Sequence, residues 1–165
     1  MIRPGAATQL QAATGAVFSA CEQYRYLLWR HWDDQLPLLG FIGLNPATAG
    51  ADADDPTIRR CRGFATELGF GGIVVANLFA FCTSHPHELF AAADPVGEEN
   101  HSWLNRLSRF SAKRVAIWGN HGQAYFSNFQ IESPIYCLKL NKSGAPAHPL
   151  YLPKGLSLKR FTCLE

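Results

Sequence analysis

The chain has 165 residues, of which 47% are hydrophobic and 17% charged, and its formal net charge is +2. This composition predicts a single globular domain spanning residues 1–165 and excludes a disordered chain. The small net charge excludes a strongly basic coat protein of nucleic acids. The five cysteines contain no C-x-x-C pair, which argues against a zinc ribbon or a disulfide framework and favours a reducing compartment.

The N-terminal segment has no basic start followed by a long apolar stretch, so we expect no signal peptide. No apolar run approaches the roughly 20 residues that a membrane-spanning helix needs. We therefore expect a soluble cytoplasmic protein that does not interact with a membrane. The sequence leaves the oligomeric state open.

The first half of the chain predicts two strands and a capped helix. The segment YRYLLWRHW (residues 24–32) favours a strand, and the continuously apolar LLGFIGL (38–44) favours a core strand. We expect the two to pair as an antiparallel hairpin. Asp55 and Pro56 are typical of a helix N-cap followed by proline, and Gly69 marks the end of that helix.

The second half continues the alternation of strand and helix. GIVVANL (72–78) predicts a buried strand, and Asp94-Pro95 predicts the start of an amphipathic helix that extends to Phe110. KRVAIWG (113–119) and IYCLKL (135–140) predict two more strands, with a short helix over 123–129 between them. Strands alternating with helices predict an α/β fold with a mainly parallel sheet and helices on both faces.

In such a sheet, ligands bind beyond the carboxyl ends of the strands. Polar groups follow each predicted strand at this point, and we expect them to meet on one rim of the sheet. They are Asn45-Pro46, Asn77, Gly119-Asn120-His121 and His148-Pro149.

Three of these side chains suit catalysis or recognition. The amide of Asn45, held before a proline, is suited to orienting a water, although Asn-Pro is also an ordinary turn. Asn77 ends an apolar strand, so its amide needs a partner: a loop backbone, or the hydrogen-bonding edge of a planar ligand such as a base. His148 is suited to donating to a developing anion, or is a satisfied structural histidine.

The acidic segment from Asp52 to Asp55 is a second candidate for chemistry. Its D-x-D-D spacing lacks the glycine and the distant glutamate of a calcium loop, so we predict no metal site there. Asp55 has a sufficient role as a helix cap. Asp52 and Asp54 stay candidates for catalytic carboxylates. His85 and His87 have no third ligand at a suggestive spacing, which favours a solvated loop.

Basic and apolar residues alternate near the C-terminus in LPKGLSLKR. Lys154, Lys159 and Arg160 are suited to contacting phosphates of a nucleic acid beside an apolar wedge, or belong to an ordinary surface tail. The sequence has no G-x-S-x-G elbow, Walker loop or G-x-G-x-x-G fingerprint. Acyl transfer, P-loop hydrolysis and nicotinamide chemistry therefore lack support, and we predict no cofactor.

Residues 24–153 resemble an uncharacterised bacterial family, domain of unknown function 1643. The shared pattern is LNP-x-T, DPT-x-RR, NLFA, DPVG-x-EN, WG and G-x-P-x-HPL. More distantly, GLNPAT, IVVAN, VAIWG and AHPLYLPKGLSLKRF resemble four segments of the uracil-DNA glycosylase superfamily in the same order. Ala47 and Leu150 stand where motifs of that superfamily have glycine and serine.

The second resemblance implies a three-layer α/β/α sandwich around a short, mainly parallel four-stranded sheet. It also implies a function: cleaving, or recognising without cleaving, an N-glycosidic nucleobase in DNA or in a nucleotide. Asn45 would place the water, Asn77 would read the base, and His148 would stabilise the departing base. Phe79, Phe81 or Trp118 would supply a stacking face. A non-catalytic module for a modified base and a small-molecule hydrolase using the aspartates stay open as alternatives.

Overall fold

The computed structural model describes residue 10 and residues 12–162. Cys163 and residues 1–9 of the segment considered for a signal peptide lie outside the described residues. The elements, in chain order, are β1 (Thr14–Phe18), β2 (Arg25–His31), β3 (Leu38–Gly43), α1 (Pro56–Glu67), β4 (Gly72–Asn77), α2 (Pro86–Ala91), α3 (Asn100–Phe110), β5 (Lys113–Ala116), α4 (Gly119–Gln123), a 3-10 helix (Phe126–Asn128), β6 (Tyr136–Cys137), a second 3-10 helix (Pro149–Tyr151) and β7 (Lys159–Arg160).

The strands form one mixed sheet, which in the described part of the chain has seven strands in the order β1-β2-β4-β3-β5-β6-β7. The four strands β4, β3, β5 and β6 are parallel, as predicted for the core of the sheet. The pairings β1–β2, β2–β4 and β6–β7 are antiparallel. The α/β class is therefore confirmed, while the predicted four-stranded sheet is too small and too uniformly parallel.

The predicted hairpin between residues 24–32 and 38–44 is wrong. β4 lies between β2 and β3, and β2 instead forms the N-terminal hairpin with β1. The chain that leaves β2 is bound to the start of β4, because the N–H groups of Trp32 and Asp33 both donate to the Gly71 carbonyl. β2 and β3 are buried along their length except for the partly buried His31, so each needs a neighbouring strand on either side, and β4 supplies one of them to both.

Helices cover both faces of this sheet. On one face α1 places Ile58, Cys61 and Phe64 against a cluster that includes Ile73 and Val75. On the other face α3 packs against a second cluster, which contains the even-numbered β4 residues Val74 and Ala76 together with Ile42 of β3. The helix contributes Trp103, Leu104, Leu107 and Phe110 to this cluster. Because successive strand residues point to opposite faces, one continuous apolar strand such as β4 supplies both cores.

The start of α1 agrees with the prediction from Asp55-Pro56. Asp55 is the N-cap, and its Oδ1 accepts the N–H of Ile58 at 2.9 Å. A side-chain cap of this kind contributes about 1 kcal/mol. After the helix Gly69 adopts a φ of +85°, a conformation that favours glycine.

Other boundaries differ from the predictions. The helix expected from Asp94-Pro95 begins at Asn100, because Asp94 Oδ1 accepts the N–H of Gly97 in a turn where Gly97 has a φ of +89°. The strand expected over 135–140 is two residues long, and the helix expected over 123–129 is replaced by the end of α4 and a 3-10 helix. The short elements β1, α2 and β7 were not predicted.

No helix within the described ranges is both long and apolar enough to cross a membrane.

Candidate functional site

A cavity of about 770 Å³ opens where β3, β4 and β5 end. Its walls come from the loops after these strands and from the segment that contains His148. Five of the polar residues expected on one rim border this cavity: Asn45, Asn77, Asn120, His121 and His148. The structure thus brings these residues together, while their chemical roles stay predictions.

Asn77 has an unusual environment for an amide. The residue is only 4% exposed, and its Nδ2 has no hydrogen-bond partner among the described residues. An unpaired buried amide group costs about 1–3 kcal/mol, so its partner is expected to be a ligand or a water in the cavity. Of the two partners expected from the sequence for the Asn77 amide, a loop backbone and a ligand, the loop backbone does not bind Nδ2 within the described part of the chain.

The backbone at Asn77 is held by Asn100, which belongs to the DPVG-x-EN motif. Asn100 is fully buried, and its Nδ2 donates to the carbonyls of Asn77 and Leu78, each at 2.9 Å. These two bonds satisfy carbonyls at the point where β4 ends and its ladder stops. Asn100 thereby fixes the place from which the Asn77 side chain projects.

Asn45 is half-buried and held in one orientation. Its Nδ2 donates to the carbonyls of Pro46, Phe81 and Thr83 at 3.1, 3.2 and 2.8 Å. Because carbonyls only accept, the amide nitrogen must face them. Its oxygen, Oδ1, is left as the atom that accepts a hydrogen bond from a water or a ligand.

His148 is half-buried at the start of the second 3-10 helix. Its Nδ1 accepts the N–H of Leu150 at 3.3 Å, so the neutral ring carries its proton on Nε2 and is a donor there. Burial lowers the pKa of His148 below its usual value, and the charge of Asp55 opposes that shift. The neutral donor form is therefore favoured near pH 7.

Arg60 of the DPT-x-RR motif holds the segment that carries His148. From α1, its Nε donates to the Pro149 carbonyl at 3.2 Å and its Nη2 donates to the Leu152 carbonyl. The guanidinium also lies over the Phe64 ring, 4.8 Å from its centroid. Two motifs far apart in the sequence are joined in this way.

The aspartates predicted as catalytic lie away from the cavity. Asp54 forms ion pairs with Arg30 and Arg62, each at 2.8 Å, and Asp52 accepts from the Thr14 hydroxyl at 2.9 Å. Burial alone would raise the pKa of Asp54, but the two arginines hold that pKa below its usual range. Neither residue lines the cavity. Their side chains instead bind the acidic segment to Thr14, Arg30 and Arg62.

Two buried charged residues at the cavity were missed as functional candidates. Asp55 lines it, but both of its oxygens accept backbone N–H groups, Oδ1 from Ile58 and Oδ2 from Ala49. Arg25 also lines it and is only 3% exposed. The sequence did offer a clue to Arg25, because it is a charged residue in a segment predicted to be a strand, and a charge that becomes buried there requires a partner.

Two of the predicted stacking aromatics, Trp118 and Phe79, differ in where they lie. Trp118 borders the cavity, although it is 2% exposed and stacks on Phe126 with ring centroids 5.1 Å apart. Phe79 does not line the cavity. It packs edge-on in an aromatic cluster with Phe90, Tyr125 and Phe129.

The predicted phosphate-contacting residues do not line the cavity either. Lys154 is exposed in the chain after the His148 segment, and Lys159 and Arg160 are exposed on β7 at one edge of the sheet. Lys139 is an exposed cation at the cavity that the sequence did not indicate.

No cluster of three potential metal ligands occurs among the residues that the structure covers. His85 and His87 lie at the start of α2 with ring centroids 5.6 Å apart.

Comparison with known proteins gives one match. A family model described as "Protein of unknown function (DUF1643)" matches residues 25–150, and so confirms the family expected from the motifs. The matched range begins at Arg25 and contains Asn45, Asn77 and His148. No curated protein and no solved structure matches the chain.

Proposed function

Since the chain belongs to the family described as protein of unknown function (DUF1643), we propose its function from the cavity itself: the protein recognises a nucleobase and cleaves the N-glycosidic bond that carries it. The substrate is a base in DNA or in a nucleotide. One observation carries this proposal: the buried amide of Asn77 has an unpartnered Nδ2 in a cavity shared with Asn45 and His148.

Recognition would occur through the amide of Asn77. A carboxamide presents a donor and an acceptor side by side, which complements the edge of a base. The apolar side chains of Val75, Ile117 and Trp118 also line the cavity and suit the faces of a planar ring. A volume of about 770 Å³ accommodates a base together with its sugar.

Cleavage would use the other two polar side chains. When the N-glycosidic bond breaks, its electron pair goes to the base nitrogen, and His148 Nε2–H is a neutral donor able to stabilise that anion. Asn45 Oδ1 would accept a hydrogen bond from the water that attacks the sugar carbon. The attacking water loses its proton to solvent, and the base gains one, so the products are a free base and a sugar hydroxyl.

The resemblance to the uracil-DNA glycosylase superfamily supports the same assignment. Within the mixed seven-stranded sheet, the parallel pairings of β4, β3, β5 and β6 with α1 and α3 on the two faces support this comparison. Asn45 lies in the loop after β3, Asn77 is the last residue of β4, and His148 lies within the AHPL segment, as the resemblance proposes.

A second candidate is binding of a modified base without cleavage. It is favoured by Asp55, the one carboxylate among the described residues that line the cavity, because both of its oxygens are engaged by backbone N–H groups. The cavity therefore lacks a free carboxylate to act as a general base. An aspartate-based hydrolase has no such support, since Asp52 and Asp54 lie outside the cavity.

The deciding experiment incubates the protein with oligonucleotides that contain uracil, hypoxanthine or a mismatch, and with the corresponding nucleosides and nucleotides. Abasic sites are detected by alkaline cleavage and released bases by chromatography. We expect Asn45→Ala, Asn77→Ala and His148→Ala to lose product formation. The exposed Asn105→Ala and His87→Ala variants are matched controls that keep it.

Unfolding does not confound the Asn77 variant. Removing an unpartnered buried amide is expected to leave the melting temperature unchanged or to raise it. Product formation that survives in all three variants would refute the assigned roles. Binding that requires Asn77, without product from any substrate, would favour the non-catalytic candidate.

A further inference from the structure

Two arginines of β2 are buried to the same degree but have very different partners. Arg30 is 1% exposed and forms an ion pair with Asp54. Its guanidinium also donates to carbonyls of Trp29, Gly50, Ala51 and Ala53 at 2.7–3.1 Å. Arg30 is therefore a satisfied structural cation that holds the acidic segment.

Arg25 is 3% exposed and forms no ion pair with a described carboxylate. Its Nη1 donates to the Ala49 carbonyl at 2.9 Å, while its Nε has no partner among the described residues. Burial lowers the pKa of Arg25 to about 10, so the side chain is still a cation near pH 7. A buried charge that lacks a counter-charge is strongly unfavourable, which indicates that a partner is supplied from outside the chain.

A β-bulge directs Arg25 into the cavity. Val17 pairs with Leu27, and Phe18 pairs with Arg25, so Tyr26 is an extra residue in β2. Regular alternation would place Arg25 on the same face as Leu27, against the core beneath α3. Because of the bulge, Arg25 lines the cavity on the face of α1 instead.

The residues that the structure describes around the cavity offer no free carboxylate to balance the charge of Arg25. Asp55 is the carboxylate whose charge opposes the lowering of the Arg25 pKa, but its oxygens accept the N–H groups of Ala49 and Ile58. Lys139 adds a second cation at the cavity. Among the described cavity residues, the cations therefore outnumber the carboxylates.

We infer that Arg25 binds a terminal anionic group of the ligand, and that the ligand is a free nucleoside monophosphate rather than a base within a DNA strand. The anion is terminal because Arg25 is almost completely buried, whereas a phosphodiester must continue outwards in two directions. β2 and β4 are neighbouring strands, roughly 5 Å apart, so Arg25 and Asn77 are close enough for one small molecule. Only the nucleoside part of this assignment rests on the proposed function.

The test measures binding of uridine against uridine 5′-monophosphate, and of inosine against inosine 5′-monophosphate, by titration calorimetry. A charge-assisted bond to a buried guanidinium predicts at least about tenfold tighter binding of one or both monophosphates. Arg25→Gln is expected to abolish this preference, and Arg25→Lys to retain part of it. Arg114→Gln is the matched control, because Arg114 also has an unpartnered Nε but lies outside the cavity.

A measurement on the unmodified protein decides the matter if the Arg25 variants do not fold. Inorganic phosphate is expected to raise the melting temperature above that in potassium chloride of equal ionic strength, and to compete with the monophosphate. Equal affinities for nucleoside and monophosphate in both pairs, or a preference that survives Arg25→Gln, would overturn the inference.

The outcome is distinguishable from failure of the proposed function. If ribose 5-phosphate binds as tightly as the nucleotides and Asn77→Ala has no effect, the base pocket is refuted while the anion subsite at Arg25 stands. If nucleosides bind through Asn77 as tightly as their monophosphates, the base pocket stands and the anion subsite is refuted.

Discussion

Gly43 and Asn77 are direct partners in the register of the parallel strands β3 and β4, and a Cβ atom on Gly43 would lie 2.6 Å from Asn77 Oδ1. This separation is too short for a non-bonded contact. The absence of a side chain at position 43 therefore makes the room in which the Asn77 amide sits. The GLNP segment thus contributes to the site in two ways, through Asn45 and through this glycine.

Gly43→Ala is expected to displace the Asn77 amide and to weaken ligand binding at least tenfold, a loss of about 1.4 kcal/mol. The atom in conflict is the end of a side chain, so the fold can adjust. Calorimetric titration with the preferred nucleoside or nucleotide checks the affinity, and thermal unfolding checks the fold.

Gly63→Ala is the matched control for that substitution. Gly63 lies within α1, and a Cβ there meets no atom within 4 Å. Alanine should stabilise the helix by up to about 1 kcal/mol and leave ligand affinity unchanged. Unaltered affinity in Gly43→Ala would show that the position of the Asn77 amide does not matter for binding.

Arg60→Met is expected to lower turnover more than it lowers ligand affinity. The substitution removes the bonds to the Pro149 and Leu152 carbonyls and so loosens the segment that carries His148. The apolar part of methionine still packs on Phe64. Measuring kcat and KM separately distinguishes two roles of Arg60. A positioning role predicts a fall in kcat that exceeds the rise in KM, whereas a purely structural role would lower stability alone.

Arg59→Met provides the control for Arg60, because Arg59 is exposed and its one side-chain bond, to the Asp54 carbonyl, is long at 3.4 Å. We expect both kinetic constants to stay within twofold of the unmodified protein, in line with the small effects of surface changes. An equal loss in the two variants would indicate a general effect of removing positive charge from α1.

Asp54→Asn is expected to destabilise the fold by about 3 kcal/mol at pH 7, because it leaves the buried Arg30 without its carboxylate. The pKa of Asp54 is lowered on folding. The stabilisation by its carboxylate is therefore complete above about pH 3.8 and is lost as the pH falls through the lower pKa of the folded state. Urea unfolding measures the difference in free energy of unfolding between the unmodified protein and Asp54→Asn. This difference should be smaller near pH 2 than at pH 7.

The exposed Asp52→Asn variant should change the free energy of unfolding by less than about 0.5 kcal/mol. Both aspartate variants should keep the activity of whatever fraction is folded. A loss of activity without a loss of stability in Asp54→Asn would return that carboxylate to the list of catalytic candidates.

The pKa of His148 predicts an acid-side dependence of stability. Burial lowers this pKa on folding, so the unfolded chain binds the proton more readily than the folded one. The free energy of unfolding should fall as the pH drops below the ordinary value of 6.5 towards the lower folded value. Above 6.5 the contribution is complete.

Denaturation at pH 7.5 and pH 5 checks this expectation. His148→Gln should lose part of the decrease seen in the unmodified protein, whereas the exposed His87→Gln should not. If a decrease of the same size persists in His148→Gln, another group is responsible for it. A catalytic role for the neutral ring further requires activity to persist below pH 6.5.

Local signals predicted part of the molecule well. The N-cap Asp55, the proline after it and the glycine after α1 act over a few residues, so the sequence contains all the information that they need. The same holds for polar residues at or just after the end of a strand, which explains why Asn45 and Asn77 could be expected at one edge of the sheet, with His148 in the segment beyond the last predicted strand. Parallel strands bring their carboxyl ends together without further information.

Features that depend on distant partners could not be predicted. Nothing in residues 24–44 indicates that β4 inserts between β2 and β3. Asp52 and Asp54 indicated chemistry because their partners lie outside the acidic segment: Thr14 for Asp52, and Arg30 and Arg62 for Asp54. Arg25 was missed because its direction depends on a bulge opposite β1, a strand too short to be recognised.

The extra residue Tyr26 reverses the alternation of side chains in β2, so that odd-numbered residues before and after it face opposite sides of the sheet. From Leu27 onwards the odd-numbered side chains face the core beneath α3, whereas Arg25, also odd, faces the cavity. Deleting Tyr26 would move the guanidinium of Arg25 to the face of the apolar core beneath α3, and would shift the preceding strand residues to the opposite face as well. The hairpin at the edge of the sheet is therefore less tolerant of a change in length than its position suggests, because its length fixes which face of β2 carries Arg25.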